Sequence, residues 1–506
     1  MNHASSSSVT SVAARPSACP GLLRIVAARD GGLCRIKLPG GVLQASEARA
    51  IADAAQRHAA GVIELTNRAN LQLRGVRAGH EAALIEALIG AGLGPQAGLA
   101  QAWSGAAGSA ACSAACAALE PPAVLAVSAA DDVRNLMISP SAGRDPHALI
   151  DTTPLCAQIL TLLQSEPRFA ALSPKFALLL DGGERLAMLE HPHDVWLAAM
   201  DHADGVRFVF GLAGCPPLSS ESESGAGAAN RCNATATPAL GAVMPSQIPA
   251  LVKALLDTFL DLAEPDQTRM RQLLAAHSLD TVLQRVQTYL DFPLSRAPAL
   301  SAWRRGAADA SLRFGIQPQH KAGAGAGMYQ VGGQPPLGRL DGATLSALAA
   351  LADDLGSATL RITPWQSVLL PDVAAAAASS VLARLTALGL ACEASHPMAR
   401  LIACAGSSGC AKSHADTKAD ALHLAAHLPA DIAQVHLSGC PRSCAAAHCA
   451  PYTLLAVEPG RYDLYRRADA PGFGHCVAHH LTIEQAADAL APPARNPRSS
   501  RSSIDA

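Results

Sequence analysis

The residues from Ile63 to Arg74 alternate. Ile63, Leu65, Ala69, Leu71 and Leu73 fall on one side of an extended chain, interrupted by Asn67. Glu64, Thr66, Arg68, Asn70, Gln72 and Arg74 fall on the other side. Such a period of two predicts one half-buried strand, with its polar face in water or lining an anion pocket. Elsewhere the period is helical. Leu345, Leu348, Leu351 and Leu355 recur at helix spacing, and Gly356 stands where a C-cap would. Leu251, Leu255, Phe259 and Leu262 do the same within 246–298, which predicts helices packed beside the first module.

These patterns belong to a longer repeat. Residues 36–73, "IKLPGGVLQASEARAIADAAQRHAAGVIELTNRANLQL", run from a Gly turn into a helix and then a strand; residues 335–370, "PPLGRLDGATLSALAALADDLGSATLRITPWQSVLL", do likewise. Leu-Thr in one and Ile-Thr in the other sit at the same place in each strand. A second pair of apolar strands follows each unit: "DDVRNLMISPSAGRD" (131–145) and "PKFALLLDGG" (174–183), then "PMARLIACAGSSGC" (397–410) and "IAQVHLSGCPRSC" (432–444). The chain therefore reads as two copies of a two-part module. Residues 103–118 read as a small-residue linker, 216–238 as a low-complexity loop, and 1–18 and 491–506 as disordered tails.

Composition narrows the function. With 506 residues, several domains are expected. Aromatics are 3%, so Ala, Leu, Val and Ile must build the core. A formal net charge of −2 gives no nucleic-acid footprint, although a local basic pocket stays open. No apolar run is long enough for a bilayer, and the start lacks the apolar core of a secretory signal, so a cytoplasmic location is expected. There are 14 cysteines; in a reducing compartment, clustered ones point to metal or catalysis.

Two pairs stand out. Cys404 and Cys410, then Cys440 and Cys444, give C-x5-C…C-x3-C, each pair at the end of an apolar strand. Zinc takes tighter knuckles, whereas a cubane cluster needs four thiolates on loops with free backbone N–H groups, and "CAGSSGC" is such a loop. The other ten, including Cys112, Cys116 and Cys449, read as free thiols. Arg35 and Lys37 alternate in "CRIKLPGG" and share a face; Arg134 and Lys175 flank apolar runs of the next module. Each alone is a solvated charge, and their case rests on the repeating context. "AGAGAGM" (322–328) does not open a helix after a strand, as a dinucleotide loop would, and "HPHD" (191–194) reads as the end of a strand or loop.

With its duplicated "LPGG…LTNR" unit, "VRN", "PKF" and four cysteines in order, the chain resembles the sulfite/nitrite reductase superfamily over roughly residues 19–490. The resemblance implies an α+β fold of two pseudo-symmetric halves. Each half has a ferredoxin-like half-domain (19–102; 301–392) and a mixed α/β sulfite-reductase-type domain (119–300; 393–490). It implies that Cys404, Cys410, Cys440 and Cys444 ligate a 4Fe–4S cluster, with Cys444 matching the ligand that bridges to sirohaem in the reductases. It implies substrate binding by Arg35, Lys37, Arg68, Arg74, Arg134 and Lys175, with Arg35, Arg134 and Lys175 at the reacting centre.

Three stretches, "ACPGLLRIVAARDGGLCRIKLPGG", "LTNRANLQLRGV" and "CAGSSGCAKSHADTKADA", resemble the branch that hydroxylates a tetrapyrrole precursor of cobalamin with O2. The reductases have a second Lys two residues after the match to Lys175; here Ala177 stands instead. That branch implies a small-molecule tetrapyrrole and O2 as substrates, electrons from a separate reductase, and room for a second iron. It implies neither nucleic acid nor membrane as partner. Sirohaem as a cofactor belongs to the alternative, a sulfite or nitrite reductase; a non-catalytic electron-transfer protein is a third reading.

Overall fold

The structure is a computed structural model. It describes residues 19–95, 121–219, 235–320, 327–429, 431–446, 450–467 and 472–491. Both expected tails (apart from residue 491), the linker at 103–118, most of the loop at 216–238, and Cys112, Cys116 and Cys449 lie outside the described residues.

The first half begins with β1 (Val26–Ala28), β2 (Gly31–Ile36), β3 (Val42–Gln44), α1 (Ala45–His58), β4 (Val62–Leu65), β5 (Leu71–Val76) and α2 (Glu81–Gly90). It continues with α3 (Pro121–Asp132), β6 (Leu136–Met137), α4 (Thr153–Ser165), β7 (Leu178–Asp181), β8 (His193–Met200), β9 (Arg207–Gly214) and β10 (Gly241–Val243). Three helices close it: α5 (Ile248–Leu262), α6 (Met270–Ala276) and α7 (Leu279–Gln287). The second half opens with β11 (Gly315–Gln319), β12 (Met328–Gly333), β13 (Arg339–Asp341), α8 (Gly342–Leu355), β14 (Thr359–Ile362), β15 (Val368–Ala374) and α9 (Ala375–Ala387). It ends with β16 (Leu401–Ala403), α10 (Gly406–Gly409), α11 (Thr417–Ala425), β17 (Val435–Ser438), β18 (Tyr452–Glu458), β19 (Arg461–Arg466), β20 (His475–Leu481) and α12 (Ile483–Leu490).

Two antiparallel sheets exchange strands. The first has the order β1-β2-β5-β4-β13 and the second β11-β12-β15-β14-β3, so each takes its fifth strand from the other half. The crossing starts at matching 3-10 turns, Pro39–Gly41 and Pro336–Gly338. Gly41 has φ +68°, and a Cβ there would lie 2.0 Å from the carbonyl oxygen of Ile362, so only glycine lets the two backbones meet. Helices α1 and α8 pack on each other through Ala48, Ala52, Ala55, Leu345, Leu348 and Ala352 in one continuous core. None of its fully buried members is aromatic; aliphatic side chains and alanine fill it, as the composition requires.

The alternating segment 63–74 is not one strand. It is the hairpin β4–β5, with Ile63 opposite Leu73 and Glu64 opposite Gln72. The turn is made by Thr66, whose Oγ1 accepts from the backbone N–H groups of Arg68 and Asn70 at 3.3 and 3.1 Å, while Ala69 takes φ +55°. The second half repeats it: Thr363 Oγ1 accepts from Trp365 and Ser367 at 3.3 and 3.2 Å, and Gln366 takes φ +61°. A Thr hydroxyl thus replaces the Asn-Gly signal by which such turns are usually read.

The two remaining sheets share one plan. β6, β7 and β8 run parallel, then β9 and β10 antiparallel; β16, β17 and β18 run parallel, then β19 and β20 antiparallel. As expected, α5 buries Leu251, Leu255 and Phe259 against the first of these sheets. Among the described residues, no helix is long and apolar enough to cross a membrane.

Candidate functional site

A cavity of about 1240 Å³ opens between the first hairpin and the end of the second mixed sheet. Parallel strands end in loops at their carboxyl edge, and those loops make the cavity's cysteine wall. Cys404 and Cys410 bracket the short α10 after β16; Cys444 follows β17. Cys440 lies in electrostatic reach: burial first, then Cys440, Cys404 and Cys410, push the Cys444 thiol up. Backbone bonds tie the two loops together. Gly439 N–H donates to Cys404 Sγ at 3.2 Å, Cys404 N–H to the Leu437 carbonyl at 3.2 Å, and His414 N–H to the Gly439 carbonyl at 2.9 Å.

Basic side chains line the rest. Arg35, Lys37, Arg68, Arg74 and Lys175 all reach the cavity. They are not equivalent. Arg74 is spent on structure: it meets Asp30 at 2.8 and 3.0 Å and donates to the Gly409 carbonyl at 2.7 Å. A Cβ at Gly409 would lie 2.3 Å from that guanidinium, so Arg74 buttresses the first cysteine loop. Arg35 donates to Gln72 at 2.8 Å and leaves Nε without a partner, and burial holds its pKa below the usual value. The Lys37 ammonium donates to the Asp132 carbonyl at 2.5 Å, and burial brings it down to about 8. Arg68, at the hairpin tip, has no hydrogen-bond partner for its guanidinium among the described residues; burial, then Arg269 and Arg35, lower it to about 10. Lys175 is exposed on the rim.

Arg134 is a correction. It does not line the large cavity. Its guanidinium is 7% exposed and bound to Asp131 at 2.8 Å, a pairing set by their i,i+3 spacing at the end of α3. It borders instead a recess of about 20 Å³ with Arg68, Ala177, His191 and His193, roughly the size of one water. The "HPHD" stretch ends the loop before β8, with His193 and Asp194 opening the strand, and it walls the site. His193 is pushed down to about 3, by burial first and Arg68 next, so it is neutral, and its Nδ1 has no partner. Asp194 holds Arg269 at 3.0 Å and the Ala177 N–H at 2.9 Å.

Sequence reading missed Arg269, Arg271, Lys412, Lys418 and Arg442, which share the cavity wall. Lys412 and Arg442 stood beside the cysteines in "GCAK" and "CPRSC"; the others carried no local signal. Asn67, read as an interruption of the apolar face, donates to the Cys444 carbonyl at 3.2 Å and joins the hairpin to the cysteine wall.

Similarity to known proteins agrees with this architecture. The profile of the nitrite and sulphite reductase 4Fe-4S domain matches residues 129–294, and that of the nitrite/sulfite reductase ferredoxin-like half domain matches 27–91 and 320–388. The first match covers the half without the paired cysteines. A chloroplastic ferredoxin–nitrite reductase of Zea mays is 28% identical over 432 residues, 81% of this chain and 67% of the relative. The chain spans about two thirds of the length of such plant relatives. A precorrin-3B synthase of a Sinorhizobium species is 26% identical over 467 residues, 90% of this chain and 84% of the relative. The solved structure of the Mycobacterium tuberculosis NirA protein overlays with a TM-score of 0.67 over 90% of this chain and 79% of that one, at 23% identity. Two exchanged half-domain sheets, two mixed sheets of one plan and both matched profiles make this chain a member of the nitrite/sulfite reductase superfamily.

Proposed function

We propose that the chain is a precorrin-3B synthase, which hydroxylates precorrin-3A with O2 and closes a lactone on it. One observation carries the reading: a macrocycle-sized cavity with basic side chains around it and cysteines on one wall, and Ala177 in the small recess, at the position where the resemblance implies a second lysine in the reductases. Loss of that charge weakens a site for nitrite or sulfite. It is compatible with a tetrapyrrole bound as substrate.

The donor set suits a 4Fe–4S cluster held by Cys404, Cys410, Cys440 and Cys444. Cys404, Cys410 and Cys444 line one end of the cavity with Cys440 in electrostatic reach; burial first and then the other three thiols push the Cys444 thiol up, and a cation-rich group relieves that cost. When bound, such a cluster supplies electrons one at a time; a separate donor must deliver them, and the names of the plant relatives suggest a ferredoxin. One oxygen atom of O2 enters the product and the other leaves as water, which uses a pair of electrons and a pair of protons. Arg68, Arg35 and Lys175 bind the substrate's peripheral carboxylates, Arg68 foremost because its fork is unspent. Neutral His193, buried in the wall, adds no charge there.

A sirohaem-dependent nitrite or sulfite reductase is the second reading, favoured by the 28% identity to the plant enzyme. Anaerobic purification, an absorption spectrum and solvent extraction separate the two. A cluster band with no extractable tetrapyrrole, and precorrin-3A consumed only with O2, is expected. Stoichiometric extractable sirohaem would move the assignment to the reductase.

A further inference from the structure

Away from the cavity, β19 and β20 bring three different donors together. Asp463, Cys476 and His479 place a carboxylate oxygen, a thiol and an imidazole nitrogen within 4.8 Å of one another. His479 Nδ1 lies 3.2 Å from Asp463 Oδ2 and 3.5 Å from Cys476 Sγ. In a regular strand, residues three apart point to opposite faces. Here the β19–β20 register slips twice: Tyr462 faces Leu481, Leu464 faces Ala478 and Tyr465 faces Cys476. β20 therefore carries an extra residue in each step, and the bulges let Cys476 and His479 meet on one side. The neighbouring His480 takes φ +53°, a conformation costly for a residue with a Cβ, and its N–H donates to Asp463 Oδ1 at 3.0 Å. The backbone is thus bent around the trio, and the carboxylate is oriented by a main-chain bond. Asp463 is 13% and His479 69% exposed, so the trio opens to solvent on one side.

We propose that Asp463, Cys476 and His479 form a mononuclear zinc site on the surface of the second mixed sheet, separate from the cysteine-walled cavity. Sulfur, imidazole and carboxylate are zinc's preferred donors, at about 2.3, 2.0–2.1 and 2.0–2.2 Å. A tetrahedral ion with those bonds sets its nitrogen about 3.3 Å from the oxygen and about 3.6 Å from the sulfur, close to the spacings found. One thiolate and one carboxylate balance the ion's charge, and the open side leaves the fourth position to water.

The test uses the full chain, purified anaerobically and equilibrated with micromolar zinc. Metal content and zinc K-edge absorption are read for wild type, H479A and C476S. Wild type is expected to hold one zinc with a single sulfur neighbour near 2.3 Å. H479A should bind zinc more weakly by about tenfold or more, since even outer-shell losses reach that size. C476S should lose the sulfur neighbour. Iron and sulfide should stay at wild-type levels in both variants, which excludes a general failure to fold. Zinc retained at full level by H479A, a sulfur neighbour that survives in C476S, or no zinc in wild type overturns the proposal.

Discussion

The two mixed sheets have one topology and opposite fates. After β17 the second sheet turns through Gly439 into Cys440 and Cys444, beside an open cavity. After β7 the first sheet turns through Gly182 and Gly183, and its end is sealed. Arg305 grips Asp181 at 2.7 and 3.0 Å and the Glu184 carbonyl at 2.7 Å, all of them buried. The hairpins diverge in the same way. Arg68 and Trp365 each stand two residues after the turn threonine; Arg68 faces the cavity, whereas Trp365 packs with Trp303 onto the apolar face built by Trp196, Met188 and Leu189. Duplication supplied one scaffold twice. Of the two hairpins the first faces the cavity, and of the two mixed sheets the second brings cysteines to it from the carboxyl ends of its strands, so the site draws on both halves.

The largest expected effect breaks the working copy. Cys444→Ser should reduce iron and acid-labile sulfide to background, read by chemical analysis after anaerobic purification. Unchanged contents would remove Cys444 from the ligand set. Next comes the sealed copy. Arg305→Met leaves Asp181 charged and 1% exposed, and should cost about 3–5 kcal/mol of stability in urea denaturation while iron content holds. A loss below about 1 kcal/mol would mean that the buried pair does not seal this sheet.

The hairpin tips sharpen the contrast. Arg68→Ala removes a guanidinium that no group among the described residues hydrogen-bonds, so stability should hardly change. Affinity for the tetrapyrrole should fall by about 1.5–3 kcal/mol, the worth of a charge-assisted hydrogen bond. Trp365→Ala should do the reverse, costing up to about 3 kcal/mol of packing and little affinity. If both variants lose affinity alike, the two tips are not functionally distinct.

Much of this was legible in the chain. The duplication showed in "LPGG" against "PPLG" and in the paired threonines, and the cysteine loops showed in their spacing and small residues. The rest was hidden for physical reasons. Each hairpin looked like one strand because a threonine hydroxyl and a left-handed Ala69 or Gln366 make the turn, without Gly or Asn-Gly at its tip. The strand exchange is a non-local pairing that no window of sequence contains. Arg134 and Arg74 read as ligand groups because charge is visible in a sequence and a partner such as Asp131 or Asp30 is not recognisable as one. Cys476 and His479 did not read as neighbours because a Cys-x2-His on a strand faces two ways until a bulge turns it.

The smallest effect tests the comparison one residue at a time. Lys37 and Gln334 each stand two residues before the proline of the exchange turn. Each reaches a backbone carbonyl of its own mixed domain: Lys37 to Asp132 at 2.5 Å, Gln334 to Met398 at 3.0 Å. Lys37→Gln should therefore keep the bond and lose only the charge. Burial lowers Lys37 from 10.5 to about 8, so between those values the unfolded chain binds more protons here than the folded one. This lysine's contribution makes the fold more stable as pH rises from about 8 to 10.5. Binding of a polycarboxylate runs the other way, weakening as the ammonium is lost through pH 8. Lys37→Gln should abolish both trends and reduce affinity below pH 8 by about 1 kcal/mol. Urea denaturation and ligand titration across that range read the two signs independently. If the variant keeps the affinity trend, Lys37 serves the cavity only as Gln334 serves its own half, as a brace for the turn.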